Sequence, residues 1–257
     1  VFLHLDNSPE FVLSWYACAL LGAVAVSTNT HSVARDMVYF SEVTRAVAAI
    51  TQPQYAELIR GACPDLAFIA VTDHDAGHHR DDHSTVIEAI NGISFSTLPS
   101  STPLPELIPD PLRNLSVQFT SGTTSRPKAV LWTHANGLWA GKISAQHMRL
   151  RRDDTTLVYM PLFHTNAQGY SMLATHWSGG TIVVQPKFSA SRFWEIVMQH
   201  RITWASMIPF AYKALMAQPV PEHKMRFWGG PASLPAIGAH FNLETIGWWG
   251  MTETLTH

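Results

Sequence analysis

The regular alternation of helical and strand-like apolar patterns constrains the fold of this 257-residue chain most strongly. In the first half, Ser8 and Pro9 predict the start of a helix that ends near Leu21, where Gly22 stops it. Short apolar strands and further helices then alternate, which predicts a parallel sheet covered by helices. The predicted strands are 23–27, 46–50, 66–71, 115–119 and 129–132, and the predicted helices are 32–41, 53–59 and 134–147.

A charged run at 149–154, without apolar periodicity, is typical of a solvated link. It predicts a boundary between two α/β lobes, 1–148 and 149–257, each built on a mainly parallel sheet flanked by helices. The second lobe repeats the alternation of the first. Its predicted strands are 156–160, 181–184, 204–207, 225–228 and 245–249, and its predicted helices are 165–177, 191–200 and 209–217.

A hydroxyl-rich loop follows the strand that ends at Phe119. Gly122 allows close approach of the backbone, successive N–H groups can cradle an anion, and Lys128 adds a positive charge. A Walker loop is excluded, because a second glycine and the Lys-Ser/Thr ending are missing. The same composition is compatible with a solvated turn. The candidate phosphate ligands are Thr120, Ser121, Gly122, Thr123, Thr124 and Lys128.

Four histidines lie close together among aspartates in and just after the polar stretch 72–82. Such a cluster, His74, His78, His79 and His83, could ligate a metal ion. Gly77 and the charge density favour a mobile surface loop instead. The proline-rich segment 94–111 predicts a long surface connection.

Composition excludes several function classes. The formal net charge of −2 offers no basic field for nucleic acid. The longest apolar run, 11–26, is too short and too polar for a membrane span. Cys18 and Cys63 lack metal-ligand spacing and are expected to be idle thiols in a reducing compartment. With no cationic leader in view, we expect a cytoplasmic location.

Four motifs, in this order, resemble those of the adenylate-forming (AMP-binding) acyl-CoA synthetase family. They are Thr120-Ser121-Gly122-Thr123-Thr124 with Pro127-Lys128, Pro161-Leu162-Phe163-His164, Gly229-Gly230, and Trp249-Gly250-Met251-Thr252-Glu253. The segments 163–168 and 188–194 most resemble the carnitine/crotonobetaine-CoA ligase branch. The resemblance implies that the chain is part of the family's large domain.

The family resemblance implies ATP, Mg²⁺ and coenzyme A as cofactors or co-substrates, and a small carboxylic acid as substrate. It places Thr252 on the α-phosphoryl group and Glu253 on magnesium, with Lys128 and His164 as further catalytic positions. It places Trp249 and Gly250 with Gly229, Gly230 and Pro231 around the adenine. From the residues alone, Thr252 and Glu253 also fit a helix start, His164 a structural histidine, and Trp248 and Trp249 core positions.

Departures from the family pattern leave other functions open. Ser125 and Ala129 stand where the family usually has glycine, and the family's later aspartate, hinge and lysine do not occur in the sequence. We therefore expect this fragment to be inactive alone. A nucleotide-binding remnant and an adenylation domain that loads a carrier protein are alternatives to the coenzyme A ligase. The sequence does not specify the acid or the oligomeric state.

Overall fold

A computed structural model describes residues 1–104, 108–120 and 126–255, which form two compact units, 1–135 and 136–257. The sequence predicted the boundary after residue 148. The structure divides the units earlier, after residue 135, near the start of the helix His134–His147. Both units have the expected α/β architecture, with mainly parallel sheets flanked by helices.

The first unit is built on a seven-stranded sheet in the order β7-β4-β3-β1-β2-β8-β9. Within its described residues, every neighbouring pair in this sheet is parallel except β8 with β9. The elements are β1 (Phe2–His4), α1 (Pro9–Leu21), β2 (Ala25–Ser27), α2 (Ala34–Thr44), β3 (Ala48–Thr51), α3 (Pro53–Ala62), β4 (Phe68–Val71), β5 (His74–Asp75), β6 (His78–His79), α4 (His83–Ala89), β7 (Ile93–Ser94), a 3₁₀ turn (Phe95–Thr97), β8 (Asn114–Phe119) and β9 (Ala129–Thr133).

Local signals set the ends of α1 as predicted. The Ser8 hydroxyl accepts from the Phe11 amide at 3.3 Å, Pro9 occupies the first turn, and Gly22 ends the helix with φ 69°. The helices α2 and α3 bury apolar side chains such as Met37, Phe40 and Ile59 in one core with residues of the central strands. The prediction from capping and periodicity is therefore confirmed in this region.

The polar segment 72–82 was predicted to be a mobile surface loop, and part of it forms regular structure. It contains the antiparallel hairpin β5–β6, in which His74 pairs with His79 and Asp75 with His78. Asp75 is buried and forms an ion pair with Arg80, and it also accepts from the Gln54 amide at 3.1 Å. These contacts order a segment in which charge density alone suggested mobility.

The second unit has a five-stranded parallel sheet in the order β11-β10-β12-β13-β14. The helix α5 begins at the division between the units. The elements are α5 (His134–His147), β10 (Thr155–Val158), a π-helix (Asn166–Leu173), α6 (Ala174–Trp177), β11 (Thr181–Val184), α7 (Ala190–Gln199), β12 (Trp204–Ser206), α8 (Pro209–Met216), β13 (Phe227–Gly230), α9 (Pro235–Phe241) and β14 (Glu244–Gly247).

Side chains alternate between the two faces of this sheet. Ala205 and Trp228 contribute to a core with residues of α7, α8 and α9, whereas Trp204 and Phe227 pack with residues of α5, the π-helix and α6. Because successive strand residues point to opposite faces, both faces of the sheet become apolar and both are covered by helices.

The charged run 149–154 is not simply a solvated link. Asp154 is only 2% exposed and binds Arg226, the hydroxyl of Thr203 at 2.7 Å and the Arg151 amide at 2.7 Å. Partial burial raises the pKa of Asp154, but these hydrogen bonds outweigh it, so the pKa lies below its usual value. This carboxylate holds the amino ends of β10, β12 and β13 together.

Several elements differ from the sequence prediction. The predicted helix 165–177 is wound as a π-helix over its first two turns, and only Ala174–Trp177 is α-helical. Gly229 and Gly230 end β13, although that strand was predicted to stop at 228. The prediction also missed β1, α4, β7 and α9. Among the described residues, no helix combines the length and hydropathy needed to cross a bilayer.

Candidate functional site

A cavity of about 390 Å³ lies at the carboxyl edge of the five-stranded sheet. Its walls come from the segments that follow β10, β12, β13 and β14, four strands that are neighbours in the sheet. Ligands bind at this edge in open parallel sheets, because side chains from separate strand ends meet there. The lining residues are His164, Thr165, Asn166, Tyr170, Met207, Ile208, Pro231, Trp248, Trp249, Gly250, Met251 and Thr252.

Six residues predicted from the sequence meet in or beside this cavity. His164, Pro231, Trp249, Gly250 and Thr252 line it, while Glu253 follows directly on an exposed turn. The sequence predicted a site at the end of β10 and another after β14, and the structure brings both to one cavity. Their roles toward a ligand remain predictions.

His164 lies on the wall of the cavity. Its amide donates to the Pro161 carbonyl at 2.9 Å, which closes the turn after β10, and its ring lies 5.5 Å from that of Phe163. The ring is accessible to solvent, yet the dense protein around it lowers the pKa of His164. At neutral pH the imidazole is therefore uncharged, with one N–H to donate and one nitrogen to accept.

The π-helix brings side chains to the cavity that the sequence prediction missed. Asn166 accepts from the Ser206 hydroxyl at 2.8 Å, which ties the helix to the end of β12. Tyr170 donates to the Trp249 carbonyl at 3.2 Å. π-Helical turns are uncommon and often occur at functional sites. The position of these residues just after His164 is the one sequence signal that could have identified them.

Trp248 and Trp249 are neighbours with different environments. Trp248 is 8% exposed and packs within 5.2 Å of the Tyr170 ring, whereas Trp249 is 64% exposed. A Cβ on Gly229 would lie 1.8 Å from the Trp248 ring, so this glycine makes room for the indole. Trp248 thus has the core role weighed in the sequence analysis, and Trp249 leaves an aromatic face open to the cavity.

The turn 251–255 is held against the π-helix. Its amides at Thr254 and Leu255 donate to the Met251 carbonyl at 3.2 and 3.0 Å. Leu255 is buried, and its carbonyl would lie 3.1 Å from a Cβ on Gly169. A small residue in the π-helix therefore lets the segment carrying Thr252 and Glu253 approach closely.

From the sequence, the large apolar residues Met172, Trp204, Met207 and Phe210 could line an acyl cavity or be ordinary core. Met207 lines the cavity, but Met172 and Trp204 are fully buried and Phe210 is 69% exposed. Gly230 lies in β13 where a Cβ would meet the Met207 carbonyl at 2.8 Å. Among these residues, Met207 alone lies on the cavity wall.

The base of the hydroxyl-rich loop belongs to the first unit. The Thr120 amide donates to the Lys128 carbonyl at 3.0 Å, and the Lys128 amide donates to the Thr120 hydroxyl at 3.0 Å. Tyr39 donates to the Pro127 carbonyl at 2.9 Å, and Arg126 lies 5.2 Å from the centre of its ring. Ser121, Gly122, Thr123 and Thr124 lie outside the described residues.

Comparison with known proteins identifies relatives of the whole chain. The model of the AMP-binding enzyme family matches residues 1–257. The crotonobetaine/carnitine–CoA ligase of Escherichia coli O6:K15:H31 is 32% identical over 99% of this chain and 50% of its own length, and that of Shigella sonnei gives the same values. The chain thus spans about half the length of the curated relatives it matches.

Solved structures share the fold. The inhibitor-bound N-terminal domain of FACL13 from Mycobacterium tuberculosis has a TM-score of 0.82 at 22% identity, covering 99% of this chain and 63% of that one. The anthranilate CoA ligase AuaEII, in complex with anthranoyl-AMP, has a TM-score of 0.81 at 23% identity, covering 98% of this chain and 50% of that one. The match of the family model to every residue, together with this fold, shows that the chain belongs to the AMP-binding enzyme family.

Proposed function

We propose that this chain forms part of an ATP-dependent acid–thiol ligase, which converts a carboxylic acid to an acyl-adenylate and then to a coenzyme A thioester. The observation that carries the proposal is the cavity in which Trp249 and Thr252 meet His164. Family membership and the crotonobetaine/carnitine–CoA ligase relatives support the same chemistry.

The first step needs no general base. A carboxylate has an ordinary pKa of about 4, so it is already a nucleophile at neutral pH. One of its oxygens attacks the α-phosphorus of ATP, the bond to the β-phosphate oxygen breaks, and pyrophosphate leaves. The protein's task is to bring two anions together and to stabilise the charge that develops at phosphorus.

We assign the nucleotide to the residues after β13 and β14. The exposed Trp249 ring suits stacking on adenine, with Pro231 and Gly250 of the cavity wall beside the base. Gly229 and Gly230, the last residues of β13, would border the base through their backbone. Thr252 lines the cavity, and its hydroxyl would donate to the α-phosphoryl oxygens. We also propose that Thr120 and Lys128, with residues 121–124, bind phosphate.

Glu253 fits a magnesium ion by its chemistry, since Mg²⁺ in nucleotide sites is often held by one carboxylate and by phosphate oxygens. Its side chain is exposed directly after Thr252. Mg²⁺, when bound there, would neutralise polyphosphate charge. His164, neutral at pH 7, would donate its single N–H to the acid substrate and so orient the attacking oxygen.

In the second step the coenzyme A thiol loses its proton to solvent and its sulfur attacks the acyl carbon. The bond from that carbon to the adenylate oxygen breaks, and AMP leaves. ATP and coenzyme A are cytoplasmic metabolites, and both cysteines are buried free thiols. We therefore also propose a cytoplasmic location. A carrier-protein acceptor and a remnant that only binds nucleotide are the alternatives that experiment must separate.

Nucleotide binding is tested first on the chain itself. ATP titrated into the chain with Mg²⁺ should release heat and quench tryptophan fluorescence, and Trp249→Ala should weaken binding by about tenfold through lost stacking. Trp177→Ala is the matched control, because Trp177 is 49% exposed in the same unit and does not line the cavity. Equal loss in both variants would contradict the assignment.

The reaction is tested in a protein as long as the curated relatives. Pyrophosphate exchange with crotonobetaine, carnitine, short-chain and aromatic acids should show which acid is activated, and thioester formation should require coenzyme A. Nucleotide binding without exchange for any acid would support the remnant. Acyl-adenylate that is transferred only to a phosphopantetheinyl carrier would overturn the coenzyme A step.

A further inference from the structure

The hairpin β5–β6 places two histidines side by side on one face. His74 and His79 are directly paired across the strands, and their ring centres lie 5.2 Å apart. The connecting turn has positive φ at both central residues, 45° at Ala76 and 84° at Gly77. This is the backbone of a tight two-residue hairpin, whose geometry fixes which residues face each other.

Asp73 adds a carboxylate to the same face. One of its oxygens lies 2.6 Å from Nδ1 of His74 and the other 3.9 Å from Nδ1 of His79. One potential ligand atom from each of these three residues lies within 4.8 Å of the other two. Within the described ranges, this is the one trio of histidine, cysteine or acidic residues that meets the condition.

The trio stands on a supported backbone. The Arg80 amide donates to the Asp73 carbonyl at 2.8 Å, and the Thr72 hydroxyl donates to the His74 carbonyl at 3.0 Å. Beneath them, buried Asp75 connects the hairpin to Arg80 and to the start of α3. Ligand side chains on such a backbone lose less freedom on binding than those on a mobile loop.

Neighbouring charges favour a cation on this face. Asp81 places a second carboxylate 3.6 Å from Nε2 of His79. Arg80, the nearby cation, is neutralised by ion pairs with Asp75 and Asp82.

We propose that this hairpin binds one divalent transition-metal cation of the zinc type, with Asp73, His74 and His79 as ligands. Imidazole and carboxylate ligands suit Zn²⁺, whereas Mg²⁺ and Ca²⁺ prefer oxygen alone. Metal–ligand distances of about 2.0 to 2.2 Å require small side-chain rotations that bring the three ligand atoms around one ion. All three side chains are at least partly exposed and can make them, and water completes the coordination.

The ion would link β5 to β6, and none of its three ligands is among the residues proposed for the ligase reaction, so the metal site can be tested separately from that reaction. The test uses Zn²⁺ alone, titrated into the metal-stripped chain by calorimetry, and Co²⁺ as a spectroscopic substitute. We expect one equivalent of Zn²⁺ to bind. Co²⁺ should show intense visible absorption, which indicates that nitrogen and oxygen atoms of the protein coordinate it directly at a low coordination number.

His74→Ala and His79→Ala should each weaken Zn²⁺ binding by about tenfold or more and abolish the Co²⁺ absorption. His78→Ala is the matched control, because His78 is exposed in the same hairpin but pairs with Asp75, on the alternate face. It should retain both signals. Should an alanine variant fail to fold by circular dichroism, His74→Gln and His79→Gln replace it.

Three outcomes would overturn the metal site. The unsubstituted chain binds no Zn²⁺ at millimolar concentration, or it binds Co²⁺ without inner-sphere absorption. The third is a loss of binding in His78→Ala that equals the loss in the His74 and His79 variants.

Discussion

The hydroxyl-rich loop of the first unit and the cavity of the second differ in how their residues are brought together. The loop is local in sequence, and two hydrogen bonds between Thr120 and Lys128 close its base. The cavity collects residues from four strand ends that are separated by up to 88 positions, from His164 to Thr252. The described base of the loop depends on a few contacts, whereas the cavity depends on the packing of an entire sheet.

This difference predicts unequal costs of substitution. Changes inside the second unit should reduce the stability of the whole unit, whereas changes at the loop base should remain local. Three of the four experiments below test this comparison, and the other tests a buried histidine of the first unit. They are given from the largest expected effect to the smallest.

Asp154→Ala should destabilise the second unit by about 3–5 kcal/mol, because Arg226 would keep a partly buried charge without its partner. Chemical denaturation followed by tryptophan fluorescence measures this change. Asp153→Ala is the control, since Asp153 is exposed beside it and should alter stability by about 0.5 kcal/mol at most. Similar effects of the two substitutions would contradict the clamping role of Asp154.

Acid should destabilise the first unit through His4. Burial lowers the pKa of His4 to about 4 from 6.5, so between these values the unfolded chain binds a proton that the folded one does not. Stability should therefore fall by roughly 3 kcal/mol as pH drops from 6.5 to 4.

Unfolding free energies measured across this pH range test the effect of His4. His4→Gln should remove most of the slope, since a glutamine cannot take up the proton. An unchanged slope in the variant would mean that other groups cause the pH dependence.

Gly229→Ala should destabilise the second unit by about 1–3 kcal/mol, because its Cβ would overlap the Trp248 ring. Gly61→Ala is the control, and it should change stability in the opposite direction. Gly61 lies in α3 with no atom within 4 Å of a built Cβ, so alanine should stabilise the helix by about 0.5–1 kcal/mol. If both substitutions changed the unfolding free energy in the same direction, close packing against Trp248 would not be the reason for glycine at position 229.

Tyr39→Phe should have the smallest effect, about 0.5–1.5 kcal/mol, from loss of its hydrogen bond to the Pro127 carbonyl. The change should appear as faster hydrogen exchange of the Lys128 amide, with little change in global unfolding. A large loss of global stability would contradict the expectation that substitutions at the loop base have only local effects.

Much of the architecture followed from local sequence. Periodicity predicted the alternation of strands and helices, and Ser8, Pro9 and Gly22 located the ends of α1 because capping acts over a few residues. Short elements such as β1 and α9 were missed, since three to seven residues carry too little periodicity to separate them from turns.

The sequence also predicted several of the residues that line the cavity, but not its full lining. His164 and Thr252 belong to two separate motifs, each a continuous stretch of sequence. In the sequence, only the order of the motifs connected these two residues. Asn166 and Tyr170 were missed because the segment was predicted as an α-helix, and its π winding depends on contacts with Ser206 and Trp249. The hairpin at 74–79 was missed because a buried ion pair, rather than composition, orders it.

The sequence by itself determined the α/β class, the positions of the motifs and the family resemblance, because periodicity, capping and short motifs act within a few residues. Tertiary structure decided which tryptophan is buried, which aspartate is charged in the interior and which strand ends share a cavity. These outcomes depend on contacts between residues far apart in the chain.

Trp248 and Trp249 are adjacent and chemically identical, but Trp248 packs over Gly229 and against the Tyr170 ring, whereas Trp249 is exposed.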